Sequence, residues 1–169
     1  MSLLPSTPTF RTATPADIGL LQDLAESIWP VSYAGILPPA QIQYMLDWMY
    51  GTARIAAELD AGLVWEVVEL EARPLGFLSW EVVPQLPVKL HKLYLLPAEQ
   101  GRGLGQVMLQ HVFAQAGAIG ASGVELTVNK RNERALRAYR RAGFAVGESA
   151  CTDIGGGYFM DDWILRRTL

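Results

Sequence analysis

Gln100-Gly101-Arg102-Gly103-Leu104-Gly105 decides the reading of this chain. An extended apolar run, Lys89 to Leu95, precedes it, and a helical run, Gly103 to Ala118, follows. A strand that ends in a glycine-rich turn and becomes a helix leaves unpaired backbone N–H groups at a positively polarised helix start. Such an end binds phosphate with its backbone alone. The six residues are not a P-loop, because Gly-Lys-Ser/Thr is missing, and the G-x-G-x-x-G spacing of a dinucleotide fingerprint fails. They also fall in mid-chain, after three predicted strands, rather than in a first βαβ unit.

Working outward, Phe10 to Thr12 predicts a short strand, and Thr14-Pro15-Ala16-Asp17 a helix start with Thr14 as cap. Ile18, Leu21, Leu24, Ala25 and Ile28 repeat at helical spacing, and Pro30 is expected to end that helix. Further helices are predicted over Ala40 to Tyr50 and Ala53 to Leu59. Strands are predicted at Leu63 to Leu70, Pro74 to Val83 and Lys89 to Leu95, the first two joined by a hairpin turn at Glu71 to Pro74. After the glycine-rich turn come a helix to Ala118, a strand at Glu125 to Val128 and a helix from Asn132 to Ala142. Two final strands, Ala145 to Thr152 and Tyr158 to Arg166, close the chain across Gly155-Gly156-Gly157. The order β-α-α-β-β-β-α-β-α-β-β predicts an α/β (α+β) fold, one mixed sheet with helices on both faces.

Length and composition set the limits. At 169 residues, one domain over 1–169 is expected. Half of the residues are hydrophobic, enough for a substantial core. The single cysteine, Cys151, excludes an internal disulfide framework and fits a reducing compartment. A formal net charge of −3 argues against nucleic acid as the main partner. No apolar run approaches the ~18 residues of a membrane span, and Met1 to Thr9 lacks the layout of a secretory leader. These features predict a soluble cytoplasmic protein with neither membrane nor nucleic-acid partner. No His/Cys/Asp cluster has metal-ligand spacing, so no metal is expected.

A second constellation follows about thirty residues after the turn: Leu126-Thr127-Val128-Asn129-Lys130-Arg131-Asn132, then Ala135, Tyr139 and Gly143-Phe144. Taken alone, Asn132 is a good helix N-cap, Tyr139 fits the apolar stripe of its helix, and Gly143 reads as the helix stop. Lys130, Arg134, Arg137 and Arg141 recur opposite that stripe, as a solvated face or as contacts to a phosphate. His111 reads as a packing or surface residue.

Strand, Q-x-x-G-x-G, helix, strand, then N-x-x-A-x-x-x-Y-x-x-x-G-F together resemble the GNAT superfamily of acyl-CoA-dependent N-acetyltransferases. The resemblance is firm from Leu75 to Phe144 and weaker outside; a narrower likeness to polyamine-acetylating bacterial members rests on Trp29 to Tyr50 and Gly157 to Trp163. It implies a central, mostly antiparallel sheet splayed at the coenzyme site. It implies acetyl-CoA as donor, its pyrophosphate on the backbone of Gln100, Gly101, Arg102, Gly103, Leu104, Gly105 and Gln106. The pantetheine arm would pair with the backbone of Leu93, Tyr94 and Leu95 and bond the Asn132 side chain. The Tyr139 hydroxyl would lie near the thioester sulfur; an ordinary phenol, titrating near ~10, holds its proton at neutral pH and suits a general acid.

The acceptor implied is a small-molecule or peptide primary amine, attacking directly in a ternary complex. Transfer of another acyl group, an O-acceptor or a non-catalytic acyl-CoA-binding module are the alternatives. His91 is the candidate base, because its ordinary pKa suits the task and a related transferase carries a histidine there. Strand alternation puts it on one face with Lys89, Leu93 and Leu95. Glu81 and Glu125 stay open as bases. The resemblance places the acceptor between Trp29 to Gln41 and Gly155 to Asp162, with Trp29, Tyr33 and Asp161 as candidate contacts. A carboxylate there favours a cationic amine, and alternation lets only one of Asp161 and Asp162 point inward. Paired subunits are common in the family, so a homodimer is compatible with it.

Overall fold

The computed structural model describes residues 7–169. The first six residues, part of the stretch read for a leader, lie outside them. Seven strands form one sheet in the order β1-β2-β3-β4-β5-β7-β6. They are β1 (Thr9–Thr12), β2 (Val64–Leu70), β3 (Arg73–Glu81), β4 (Val88–Leu95), β5 (Gly123–Asn129), β6 (Ala145–Gly155) and β7 (Tyr158–Thr168). Only β4 and β5 run parallel; every other neighbouring pair is antiparallel. The helices are α1 (Ile18–Ser32), α2 (Pro39–Tyr50), α3 (Thr52–Asp60), α4 (Leu104–Ala118) and α5 (Glu133–Arg141).

Two cores sit on the two faces of the sheet. One joins α4 and α5 to Leu75, Leu78, Val88, Leu90, Leu95, Leu126 and Leu165. The other joins α1, α2 and α3 to Trp65, Val67, Phe77 and Tyr94. Helices on both faces follow from this two-sided burial, as the hydrophobic patterning predicted. His111 of α4 stacks on Phe10 at 3.8 Å and bonds Glu66, which also accepts from Trp80 Nε1. That contact ties the first two strands to α4.

Two expectations need correction. Pro30 does not end α1, which continues to Ser32. Proline removes one helical hydrogen bond, but Trp29 and Tyr33 on either side of it are buried in the same core, and their packing carries the helix through its last turn. His91 also does not share a face with Leu93 and Leu95 by simple alternation. Ser79 pairs with Lys92 while its neighbour Trp80 pairs with Leu90, so His91 is the extra residue of a β-bulge. Beyond the bulge the parity of β4 flips. Leu90, Leu93 and Leu95 all face α4 and α5, whereas Lys92 and Tyr94 face the α1–α3 side, Lys92 over the Trp65 ring.

The bulge coincides with a second irregularity. The β4–β5 register runs only from Val88↔Val124 to Leu90↔Leu126. From His91 onward the two parallel strands part, and the edge of β4 that would pair with β5 faces a cleft. No helix among the described residues is long and apolar enough to cross a membrane.

Candidate active site

The cleft between the parted strands is the mouth of a cavity of about 510 Å³. Its floor and walls come from β4, β5, the glycine-rich turn, α5, α1 and β7, so residues far apart in sequence meet there. Leu96 donates its N–H to Leu75 of β3. Backbone groups alternate along a strand, so those of Leu93 and Leu95 point the other way, into the cleft. Among the described residues they form a ladder without a neighbouring strand, only the Leu95 carbonyl being taken, by the Gln100 side chain.

The ladder ends at the turn. Gly101 and Gly103 adopt φ of 78° and 81°, a left-handed conformation that side chains resist. Ideal Cβ atoms at Gly101, Gly103 and Gly105 meet no atom within 4 Å, so the surface over this turn is open. The N–H groups of Gln106 and Val107 return to the Gly103 carbonyl. Those of Gly101, Arg102, Gly103, Leu104 and Gly105 make no hydrogen bond among the described residues. These donors, at the start of a 15-residue helix, fit an anionic phosphate.

The flanking side chains hold the turn rather than fill it. Gln100 Nε2 donates to the Leu95 carbonyl at 3.0 Å, and Gln100 Oε1 accepts from Arg134 at 2.6 Å. Arg102 pairs with Glu99, and Gln106 Nε2 donates to the Ala138 carbonyl of α5. Arg134, Arg137 and Arg141 line the cavity mouth, while Lys130 lies off it, paired to Asp161 at 2.6 Å.

Asn132 caps α5 with Oδ1, which accepts from Ala135 N–H at 3.2 Å. That leaves its amide N–H groups for any partner in the cavity. Tyr139 of α5 reaches the inner end, and burial, with a smaller effect of Tyr33, pushes its phenol well above the ordinary value. Tyr33 and Tyr94 share a hydrogen bond of 2.9 Å, and burial raises Tyr33 to about 12. Trp29 packs on both rings, its Nε1 donating to Tyr50 at 3.0 Å. These phenols are all held neutral at physiological pH.

The acceptor-side residues sort differently from expectation. Trp29 and Tyr33 do line the cavity. Asp161 does not: it shares a β7 face with Trp163 and turns to Lys130, its side chain 59% exposed. Asp162 takes the inward face with Met160, is 8% exposed, and lines the cavity. Its Oδ1 is buried without a hydrogen-bond partner among the described residues, and burial pushes its carboxyl up to about 6. The sequence limited the inward position to one aspartate; which one depends on the β5–β7 register, where Asn129 faces Asp162. Lys92, buried beside Glu58 and lowered in pKa by that burial, also lines the cavity and carried no recognisable sequence signal.

Of the three residues considered as base, His91 alone lines the cavity. It stands at the bulge, a third exposed, with Nε2 2.8 Å from Glu81 Oε2. Glu125 is tied to Arg166 at 2.7 Å.

Comparison with known proteins agrees with this geometry. The model of the Acetyltransferase (GNAT) family matches residues 21–144. The uncharacterized N-acetyltransferase Mb2688 of Mycobacterium bovis is 29% identical over 154 residues, 90% of this chain and 98% of that protein. The peptidyl-lysine N-acetyltransferase YjaB of Escherichia coli is 31% identical over 98 residues, 56% of this chain and 58% of that protein. The crystal structure of the PaiA N-acetyltransferase of Thermoplasma acidophilum in complex with coenzyme A superposes with a TM-score of 0.83 at 20% identity, over 96% of this chain and 99% of that one. The chain belongs to the GNAT family of acetyltransferases and is an N-acetyltransferase.

Proposed function

We propose that this N-acetyltransferase takes acetyl from acetyl-CoA and passes it to a primary amine that enters from the α1 and β7 side. The carrying observation is the parting of β4 from β5 at Leu90 and Leu126, which leads a free strand edge straight to the unpaired N–H groups of Gly101–Gly105. A phosphate-bearing, peptide-like arm fits both at once. The PaiA structure of similar fold was solved in complex with coenzyme A, which supports coenzyme A as the ligand.

In this reading Gly101 to Gly105 hold the pyrophosphate, and Leu93 and Leu95 pair with the pantetheine amides. Asn132 donates to the arm through its free N–H groups. Arg134, Arg137 and Arg141 at the mouth attract the remaining phosphate charge. When bound, the thioester supplies an activated acetyl carbon. Tyr139, its phenol kept protonated by burial, donates a proton at the sulfur as it leaves. An amine with an ordinary pKa near ~10.4 arrives as an ammonium and must lose a proton before it reacts. His91 and Asp162 are the two cavity groups placed to take that proton. Direct attack is the proposed route.

The test is a titration of CoA into the protein by calorimetry, followed by thiol release from acetyl-CoA across a panel of amines. Micromolar CoA binding with amine-dependent thiol release is expected. Amine-independent release, or no CoA binding, refutes the reading.

A further inference from the structure

We infer that Asp162 is the acceptor anchor and base of this enzyme, and that the cavity selects amines whose reacting nitrogen is their only cationic centre. This rests on the acetyltransfer reading above and deepens it.

Asp162 is the only carboxylate among the cavity-lining residues. A buried carboxylate oxygen without a hydrogen-bond partner is costly, because its desolvation is uncompensated. Its immediate surroundings leave that charge unanswered. Asn129 stands opposite it on β5, Tyr33 just after α1 acts on it, and Asp161 beside it on β7 adds like charge. Lys130, whose charge reaches Asp162 only weakly, is ion-paired to Asp161 at 2.6 Å. An ammonium placed in the cavity supplies both the missing hydrogen bond and the missing positive charge. Burial and Asp161 raise the carboxyl to about 6, which keeps it ionised at neutral pH yet makes it a stronger base than an ordinary aspartate.

The proton balance is simple. The ammonium gives one proton to Asp162 Oδ1, freeing the nitrogen lone pair. The C–N bond to the acetyl carbon forms as the C–S bond breaks, and the sulfur takes the Tyr139 proton. The second nitrogen proton restores Tyr139 through water, and the proton on Asp162 returns to solvent. No other reactant is needed.

The same wall sets specificity. The other ionisable side chains on the acceptor face, His91 and Lys92, are each already joined to a carboxylate outside the cavity lining, Glu81 and Glu58. Tyr33, Tyr94 and Trp29 close the remaining wall and bond mainly one another or Tyr50. A second ammonium on the acceptor therefore finds no second carboxylate on the cavity wall, Glu58 and Glu81 being held by Lys92 and His91, and lies beside Lys92 instead. An acceptor with a neutral or anionic remainder fits; a polyamine does not.

The test uses protein saturated with CoA, which binds amines without turnover. n-Butylamine, phenethylamine and a peptide with a free amino terminus and neutral side chains are titrated in, against 1,4-diaminobutane and spermidine. At least one monocationic amine is expected to bind ten times more tightly than either polycation. In the wild type, that affinity falls below pH 6 as Asp162 takes a proton. In Asp162→Asn it falls at least tenfold, with CoA affinity unchanged. With acetyl-CoA, the acidic limb of kcat/KM near pH 6 disappears in the variant. The proposal is overturned if no amine binds while CoA does, if the polycations bind better, or if Asp162→Asn keeps both amine affinity and the acidic limb. Failure to bind CoA at all counts against the acetyltransfer reading instead.

Discussion

Replacing Gly105 by alanine separates the fold from the proposed pyrophosphate seat. Gly105 is the second residue of α4, its φ is negative, and a Cβ there meets no atom within 4 Å. The free protein therefore gains from Gly105→Ala. Alanine is favoured over glycine in a helix by about 0.5–1 kcal/mol, which raises Tm by roughly 1–4 °C for a chain of this size. The new methyl projects into the cavity that Gly105 lines. It keeps phosphate oxygens from closing to hydrogen-bond distance on the N–H groups of Gly103–Gly105. Losing one charge-assisted bond is worth about 1.5–3 kcal/mol, so the Kd for CoA rises by roughly 10- to 150-fold. Gly103→Ala serves as the contrast. At φ 81° a Cβ is strained by about 1–2 kcal/mol, so that variant loses both stability and affinity. Thermal unfolding without ligand and calorimetry with CoA read the two effects separately. A more stable Gly105→Ala protein that binds CoA within twofold of wild type refutes the phosphate seat.

Further outcomes follow from other contacts. Tyr139→Phe keeps CoA affinity and lowers turnover at least tenfold in steady-state kinetics; unchanged turnover removes Tyr139 from the chemistry. Asp162 makes stability fall with pH: its folded carboxyl sits near 6 instead of 3.8, so the charged form is disfavoured by about 3 kcal/mol. That penalty is absent below pH 4, grows between pH 4 and 6, and is complete above. Asp162→Asn should then raise Tm by several degrees at pH 8 and not at pH 4, and an equal gain at both values contradicts this origin. Arg131 donates to the carbonyls of Gly35 and Ile36 at 2.8 Å each, fixing the α1–α2 loop against the turn after β5. Arg131→Ala is expected to raise the amine KM at least fivefold with CoA affinity unchanged, which kinetics with each substrate varied in turn will check.

What was legible in the sequence is what is encoded over a few neighbouring residues. The turn at Gln100–Gly105 is local: positive φ at Gly101 and Gly103, and unbonded N–H groups ahead of a helix, follow from glycine spacing alone. Asn132 as a cap and Gly143 as a helix stop are local in the same sense, and both occupy those positions. The acceptor side is not local. Which aspartate turns inward is settled by Asn129 facing Asp162 across β5 and β7, a pairing between residues 33 apart in sequence. The side of β4 that a residue occupies is settled by one extra residue against β3, and a single bulge at His91 reverses every later position. Pro30 sits in a helix because the core beneath α1 holds Trp29 before it and Tyr33 after it. The proposed donor seat and the proposed acceptor wall thus differ in how they are specified. A short motif writes the first, and tertiary register writes the second. If the proposed sites hold, chains that share the Gln100–Gly105 motif keep one donor while a one-residue change of register at β4 or β7 exchanges Asp162 for another side chain and, with it, the acceptor.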